Sequence, residues 1–225
     1  MTFSIVGRCD RTGMVGVAIT TSSIAVGSRC PWVRAGVGAV ATQNVTLPSI
    51  GPMVLDRIAG GEDAETALAA VLAPLDFTDY RQVTVVDREG RTAHFTGGKT
   101  LGTNALVAGA GCVAAGNLLR TEELPGVMVE SFVADTDSHL APRLLSALEA
   151  GLRSGGEEGP VHSAALLVAD RQPWPLVDLR VDWDDVDPIA CLRTLWEDYR
   201  PQMQDYVTRA LDPASAPAYG VPGDE

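Results

Sequence analysis

The second residue is where chemistry is most readily placed. The chain begins Met1-Thr2, and a small residue in position 2 permits removal of the initiator methionine. Thr2 would then carry a hydroxyl and a free α-amine on one residue, a nucleophile supplied with its own base. An α-amine has an ordinary pKa of roughly 7.7–8.0, and partial burial lowers it by disfavouring the cation. Such an amine can accept the hydroxyl proton near neutral pH. The signal is a single dipeptide, so its meaning depends on the elements around it.

Other chemistries find less support. His94, His139 and His162 lie far apart and fit neither H-x-x-x-H nor H-E-x-x-H. Asp182, Asp184, Asp185 and Asp187 cluster without the Gly and distal Glu of an EF-hand loop, and read as a solvated edge. Residues 109–114 fit G-x-G-x-x-A but lack the βαβ context of a dinucleotide fingerprint. There is no G-x-S-x-G elbow and no P-loop. No metal and no organic cofactor is expected. Chemistry on Cys30 or His162 is the remaining enzymatic alternative.

The elements that must position Thr2 begin at once. Residues 2–7 read as a strand, residues 10–13 as a turn and residues 14–21 as a second strand, together a hairpin. Residues 35–42, rich in Gly and Ala, read as a tightly pressed strand. A helix over 53–59 ends at Gly60-Gly61. Asp63 is placed to cap a second helix over 64–73, which Pro74 stops. Residues 80–87 and 92–96 form a further hairpin, and 106–115 a strand pair or a strand with a Gly bend. Helices follow over 122–134 and 140–154, each with apolar residues along one face. Strands over 163–169 and 176–181 precede a last helix from Asp187-Pro188 to about Asp198. This order is not strict βα alternation. It suits an α+β fold of two antiparallel sheets packed together with helices outside.

Composition bounds the rest. The 225 residues, 46% hydrophobic, suit one domain over 1–210, with a Pro-, Gly- and acid-rich tail over 211–225 expected to be disordered. The chain carries 17 Lys+Arg against 29 Asp+Glu, and Lys99 is the single lysine. A net charge of −12 with scattered arginines argues against a nucleic-acid partner. Apolar runs such as 37–42 and 164–169 are far shorter than the roughly 20 residues of a spanning helix, so no membrane partner is expected. The N-terminus does not read as a signal peptide, which predicts a cytoplasmic protein. Cys9, Cys30, Cys112 and Cys191 form no C-x-x-C pair and are expected to be reduced and mostly buried.

The segments TFSIV (2–6), GVAITTSSIAVGSRCPWVRAGVGAVATQ (16–43), GNLL (116–119), SAALLV (163–168) and DLRVD (178–182) together resemble the DUF1028 family, over about residues 2–200. The block 25–43 is the specific part. The resemblance implies an Ntn-hydrolase-like, four-layer αββα sandwich of two antiparallel sheets between helical layers. It implies a nucleophile on the first residue of the mature chain, on a strand at the sheet edge, which is the position of Thr2. Ser22 and Ser23 match the region that lines such sites. Arg29 is a candidate for a substrate carboxylate, and Thr42, Gln43 and Asn44 for polar contacts to an amide. Asn117 is a candidate oxyanion donor. Leu47 and Ile50 depart from the polar residue and the aromatic expected of many relatives, and Lys99 does not stand where a lysine tunes a proteasomal threonine.

The function implied is hydrolysis of a small amide, cyclic amide or related C–N bond by Thr2 once Met1 is removed, with a small-molecule substrate as partner. The alternative is a non-catalytic protein of the same fold that binds a small ligand or a partner protein. The glycine-rich strand system is expected to self-associate as a homodimer.

Overall fold

The computed structural model describes residues 1–223. Among the described residues ten strands form two antiparallel sheets. The first sheet has six strands: β1 (Thr2–Arg8), β2 (Val15–Thr21), β7 (Ala105–Gly109), β8 (Cys112–Asn117), β9 (Ser163–Ala169) and β10 (Val177–Val181), in the order β10-β9-β2-β1-β8-β7. The second has four: β3 (Pro31–Arg34), β4 (Gly38–Asn44), β5 (Arg81–Asp87) and β6 (Thr92–Thr96), in chain order. β1 and β2 form the expected hairpin, with Thr2 opposite Thr21 and Arg8 opposite Val15.

Side chains alternate between the two faces of each strand, and three apolar cores follow from this. On the outer face of the first sheet, Phe3 and Ile5 of β1 pack with Leu124, Met128 and Phe132 of α3 (Leu124–Ala134) and Leu144, Leu145 and Leu148 of α4 (Leu140–Arg153). Ile189, Leu192 and Trp196 of α5 (Pro188–Tyr199) extend this core, and Met203 and Val207 of α6 (Met203–Leu211) lie against it. On the inner face, Val6, Val15, Val17, Ile19, Val113 and Leu167 meet Ala39, Ala41 and Val86 of the second sheet. Behind that sheet, Val40, Val83 and Val85 pack against α1 (Ile50–Ala59) and α2 (Ala64–Leu72). The result is helices, sheet, sheet, helices: the α+β sandwich that the sequence implies.

The close fit of α3 and α4 to the first sheet requires glycine. A Cβ on Gly7 would lie 2.6 Å from Phe132 Cζ, and one on its cross-strand partner Gly16 would lie 2.7 Å from Leu144 Cδ1. Either substitution would push a helix off the sheet.

Several boundaries differ from the sequence reading. The strand expected over 35–42 runs instead over Gly38–Asn44; residues 35–37 are the turn that joins it to a strand not anticipated from the sequence, Pro31–Arg34. Pro31 is the first residue of an edge strand, a place in a sheet where its missing N–H is tolerated. Residues 109–114 are the turn and second arm of the β7–β8 hairpin, with Gly111 at φ +64°, so the G-x-G-x-x-A match is strand-turn-strand. Helix α6 was not anticipated; its nine residues are amphipathic but not fully buried. In its last turn Arg209 stacks over Tyr219 at 3.9 Å and donates to the carbonyl of Pro217. The last two residues of the 211–225 segment lie outside the described ones. Cys9, Cys30 and Cys112 are buried free thiols, and Cys191 is exposed. No helix among the described residues is long and apolar enough to cross a membrane.

Candidate functional site

One end of the space between the sheets is polar. Cross-strand register places Ser163 of β9, Thr21 of β2, Thr2 of β1 and Asn117 of β8 in one row on the inner face. All four are buried, with Thr2 6% exposed. Facing them across the inter-sheet space are Gln43 of β4 and its partner Gln82 of β5. Two residues further along β1, Ser4 donates to Gln43 Oε1 at 2.6 Å. Gln43 Nε2 donates to Gln82 Oε1 at 2.8 Å, and Asn117 Nδ2 reaches the same oxygen at 3.3 Å. Gln82 Nε2 closes the network on the carbonyl of Gly116 at 3.1 Å. A buried network satisfied in this way fixes side-chain orientation.

Thr2 stands at the start of β1. The resemblance implied a strand at the sheet edge; β1 instead lies inside the sheet, between β2 and β8. Interior placement is what gives Thr2 two cross-strand neighbours, Thr21 and Asn117. Its hydroxyl lies 3.0 Å from the Thr21 hydroxyl and donates to the carbonyl of Met1 at 2.6 Å. Thr21 also donates to that carbonyl. While Met1 is present, its carbonyl therefore caps the hydroxyl. The Met1 side chain lies against Gly159, where a Cβ would meet Met1 Cε at 2.9 Å.

The remaining candidates divide. Ser22 is partly buried beside the N-terminus, and its amide faces the Glu157 carboxyl. Ser23 is more exposed; its hydroxyl lies 3.4 Å from that of Thr21 and accepts from Arg29 Nη2 at 2.7 Å. Arg29 Nη1 donates to the carbonyls of Ile24 and Ala25 at 2.6 and 2.7 Å. Its guanidinium thus braces the 22–29 loop, in which Ala25 takes a left-handed φ of +54°. Thr42, on the opposite face of β4 from Gln43, pairs with the Thr46 hydroxyl at 3.0 Å. Asn44, at φ +72°, donates to the carbonyl of Tyr80 and accepts from the amide of Leu101, tying loops together. Gln43, Asn117, Ser22 and Ser23 gather round Thr2 and its neighbours; Arg29 and Asn44 hold backbone, and Thr42 is bonded to a hydroxyl on the far face of its strand.

Two participants were not singled out from the sequence. Gln82 had a weak signal: in RQVTVVD the polar Gln82 and Thr84 alternate with valines, so they face inward on a buried strand. Glu157 had none, since it sits in a glycine-rich loop that reads as solvent-exposed. It is 2% exposed, and neither carboxylate oxygen has a hydrogen-bond partner. Burial pushes its pKa up to about 8, against the opposing pull of the N-terminal ammonium and the Ser22 amide. Cys30 and His162, the alternative pair, are less suited. Burial drives the Cys30 thiol up to about 11, which suppresses the thiolate. His162 stacks on Trp183 at 4.3 Å, with Nδ1 3.2 Å from the Asp184 carbonyl. Asp184 and Asp187 accept from backbone amides around the start of α5.

A family model described as a family of unknown function, DUF1028, matches residues 2–192. The chain belongs to the DUF1028 family. Protein SPO2555 from Silicibacter pomeroyi, a crystal structure assigned to the same family, is 32% identical over 91% of this chain and 89% of its own, with a TM-score of 0.84. The ancestral β-subunit Anbu from Yersinia bercovieri is 10% identical, over 91% of this chain and 97% of its own, with a TM-score of 0.37. A Gly-1 mutant of Anbu from Hyphomicrobium sp. strain MC1 is 14% identical, over 90% and 96%, with a TM-score of 0.42. At those values the Anbu structures add nothing to the layering described above. No curated protein matches.

Proposed function

We propose that this DUF1028 protein hydrolyses a small amide, cyclic amide or related C–N bond, with Thr2 as nucleophile after removal of Met1. The observation that carries the reading is the polar row: the Thr2 hydroxyl is flanked by Thr21 and Asn117 at the polar end of an inner face that turns apolar further along the strands. Loss of Met1 would free the hydroxyl from the Met1 carbonyl, open the space beside Gly159, and leave the new α-amine on the residue that bears the hydroxyl.

The chemistry follows from that arrangement. Thr2 Oγ1 attacks the substrate carbonyl carbon while its proton passes to the Thr2 amine, directly or through a water. The tetrahedral oxyanion is stabilised by N–H donors, Asn117 Nδ2 among them, at the expense of its long contact with Gln82. Collapse breaks the C–N bond, and the leaving nitrogen takes the proton from the Thr2 ammonium. Water then hydrolyses the ester on Oγ1, releasing the acid and restoring the hydroxyl.

A chain beginning at Thr2, released from an N-terminal fusion without added residues, should hydrolyse at least one member of a panel of small linear and cyclic amides. Thr2→Ala should lower kcat by roughly 10^4-fold or more, as loss of a nucleophile does. Undiminished turnover by Thr2→Ala would refute the assignment. The capping of the Thr2 hydroxyl by the Met1 carbonyl favours a second reading, a ligand-binding protein that keeps Met1. Intact mass from the native host separates the two: a retained Met1 leaves no free Thr2 amine.

A further inference from the structure

Glu157 is a buried acid without a partner. It lies in the loop after α4, between Gly156 at φ +64° and Gly159, and is held by a β-bridge with Leu119 just past β8. Arg120 fixes the backbone beside it, its Nε donating to the Glu157 carbonyl at 2.9 Å and its Nη2 to the Glu158 carbonyl at 3.4 Å. Those bonds commit the nearest guanidinium to backbone. Both Glu157 oxygens are left buried and unbonded. A carboxylate left in that state has lost its hydration with nothing in its place, so a lone structural role is a poor explanation for it.

The surroundings indicate what completes it. The Glu157 backbone bridges Leu119, two residues past Asn117, the cross-strand partner of Thr2; Thr2, Thr21 and Asn117 carry no charge. The loop after β2 presents the Ser22 amide, and its cation, Arg29, is bound to loop oxygens. Glu158 is an exposed acid. The N-terminal ammonium is the cation left: it pulls the carboxyl down against burial, and the Met1 side chain lies against Gly159, two residues beyond Glu157. Removing Met1 carries the amine one residue, about 3.8 Å between Cα atoms, onto Thr2 itself.

We propose that Glu157 is the ion-pair partner of the Thr2 α-amine in the processed chain, holding that amine beside Oγ1 and exchanging a proton with it. Glu157 is thus a positioning residue and does not touch substrate. The exchange is balanced: ammonium and carboxylate interconvert with neutral amine and carboxylic acid, with no change in net charge. A carboxyl raised by burial toward the range of an α-amine makes the two states comparable in energy. The neutral amine that the nucleophile needs is then available in a closed site without expelling a proton to solvent. This inference rests on the hydrolase reading for its purpose, but the ion pair can be tested without any substrate.

The test is titration of the amines. With Lys99 as the single lysine, the processed chain has two amines, and Lys99→Arg leaves one. Reductive methylation with 13C-formaldehyde makes the α-amine visible by NMR. Glu157→Gln should lower its pKa by about one unit or more, the size expected for loss of an adjacent opposite charge, and Glu157→Asp should restore part of the shift. Glu158→Gln should leave it unmoved. An α-amine pKa unchanged to within about 0.2 units in a folded Glu157→Gln, with folding checked by circular dichroism, would overturn the pairing. Hydrolysis retained by Thr2→Ala would overturn the hydrolase reading and leave the titration result standing. Where hydrolysis is found, the acidic limb of the kcat/KM profile should move to lower pH in Glu157→Gln.

Discussion

The two ends of the inter-sheet space are built from the same strands and the same face, yet they differ in kind. At one end Val6, Val15, Val17, Val113, Leu167, Ala39 and Val86 interlock. At the other, two to four residues along each strand, stand Thr2, Ser4, Thr21, Ser163, Asn117, Gln43 and Gln82. The apolar end is adequately explained by the hydrophobic effect, which is non-directional and proportional to area. The polar end cannot be explained in that way. Each of its groups must find a partner of the right geometry, and a plain valine at those positions would hold the sheets together as well. Strands that change from area-driven to geometry-driven contacts along one face keep close packing and fixed polar geometry in adjoining halves of one layer.

Measurements of stability can sharpen or break this contrast. The largest expected effect comes from pH. In the chain that keeps Met1, the folded-state pKa of Glu157, raised by burial to about 8, lies above its unfolded value near 4.5. Between these values the unfolded chain has released a proton that the folded chain retains, so stability falls as pH rises. The slope attributable to Glu157 is up to about 1.4 kcal/mol per pH unit across that window. Urea denaturation at several pH values should show it as the difference between the parent and Glu157→Gln, with the variant flatter. Equal slopes would mean that the acid end stores no such cost.

At the apolar end, Leu167→Ala should cost about 3 kcal/mol with an unchanged denaturant slope, the range of buried leucine truncations. Ser4→Ala removes the donor to Gln43 Oε1 and should cost less, about 1 kcal/mol, because the net worth of one buried hydrogen bond is small. The order of those two values is the contrast itself. If Ser4→Ala were the more damaging, the polar network would be the main support of the sandwich.

What the sequence revealed was local. The β1–β2 hairpin follows from alternation on either side of a Gly turn, and α2 from its cap: Asp63 Oδ1 accepts from the Thr66 amide at 2.8 Å, as the spacing implied. Thr2, Asn117 and Gln43 could be named because polar residues at strand ends are visible in a string. Their convergence could not be, since it depends on β1 and β8, far apart in sequence, lying side by side in one sheet while β4 and β5 of the other sheet face them. Arg29 misled because its type suits a carboxylate, whereas its donors go to the turn that Ala25 needs. Glu157 was hidden because composition alone does not distinguish a solvated glycine-rich loop from one folded back over a chain terminus. Helix α6 has a strong polar face and little burial, so its apolar spacing was easily overlooked.

The central claim is that Thr2, once Met1 is gone, bears an activated hydroxyl. The most direct measurement is the intact mass and peptide map of the processed chain after treatment with a β-lactone, an acylating electrophile, using a Cys191→Ser background to remove the exposed thiol. The account predicts a single ester adduct on Thr2, absent when Met1 is retained and absent in Thr2→Ala. A processed chain that stays unmodified, or is acylated elsewhere while Thr2 remains free, would contradict it.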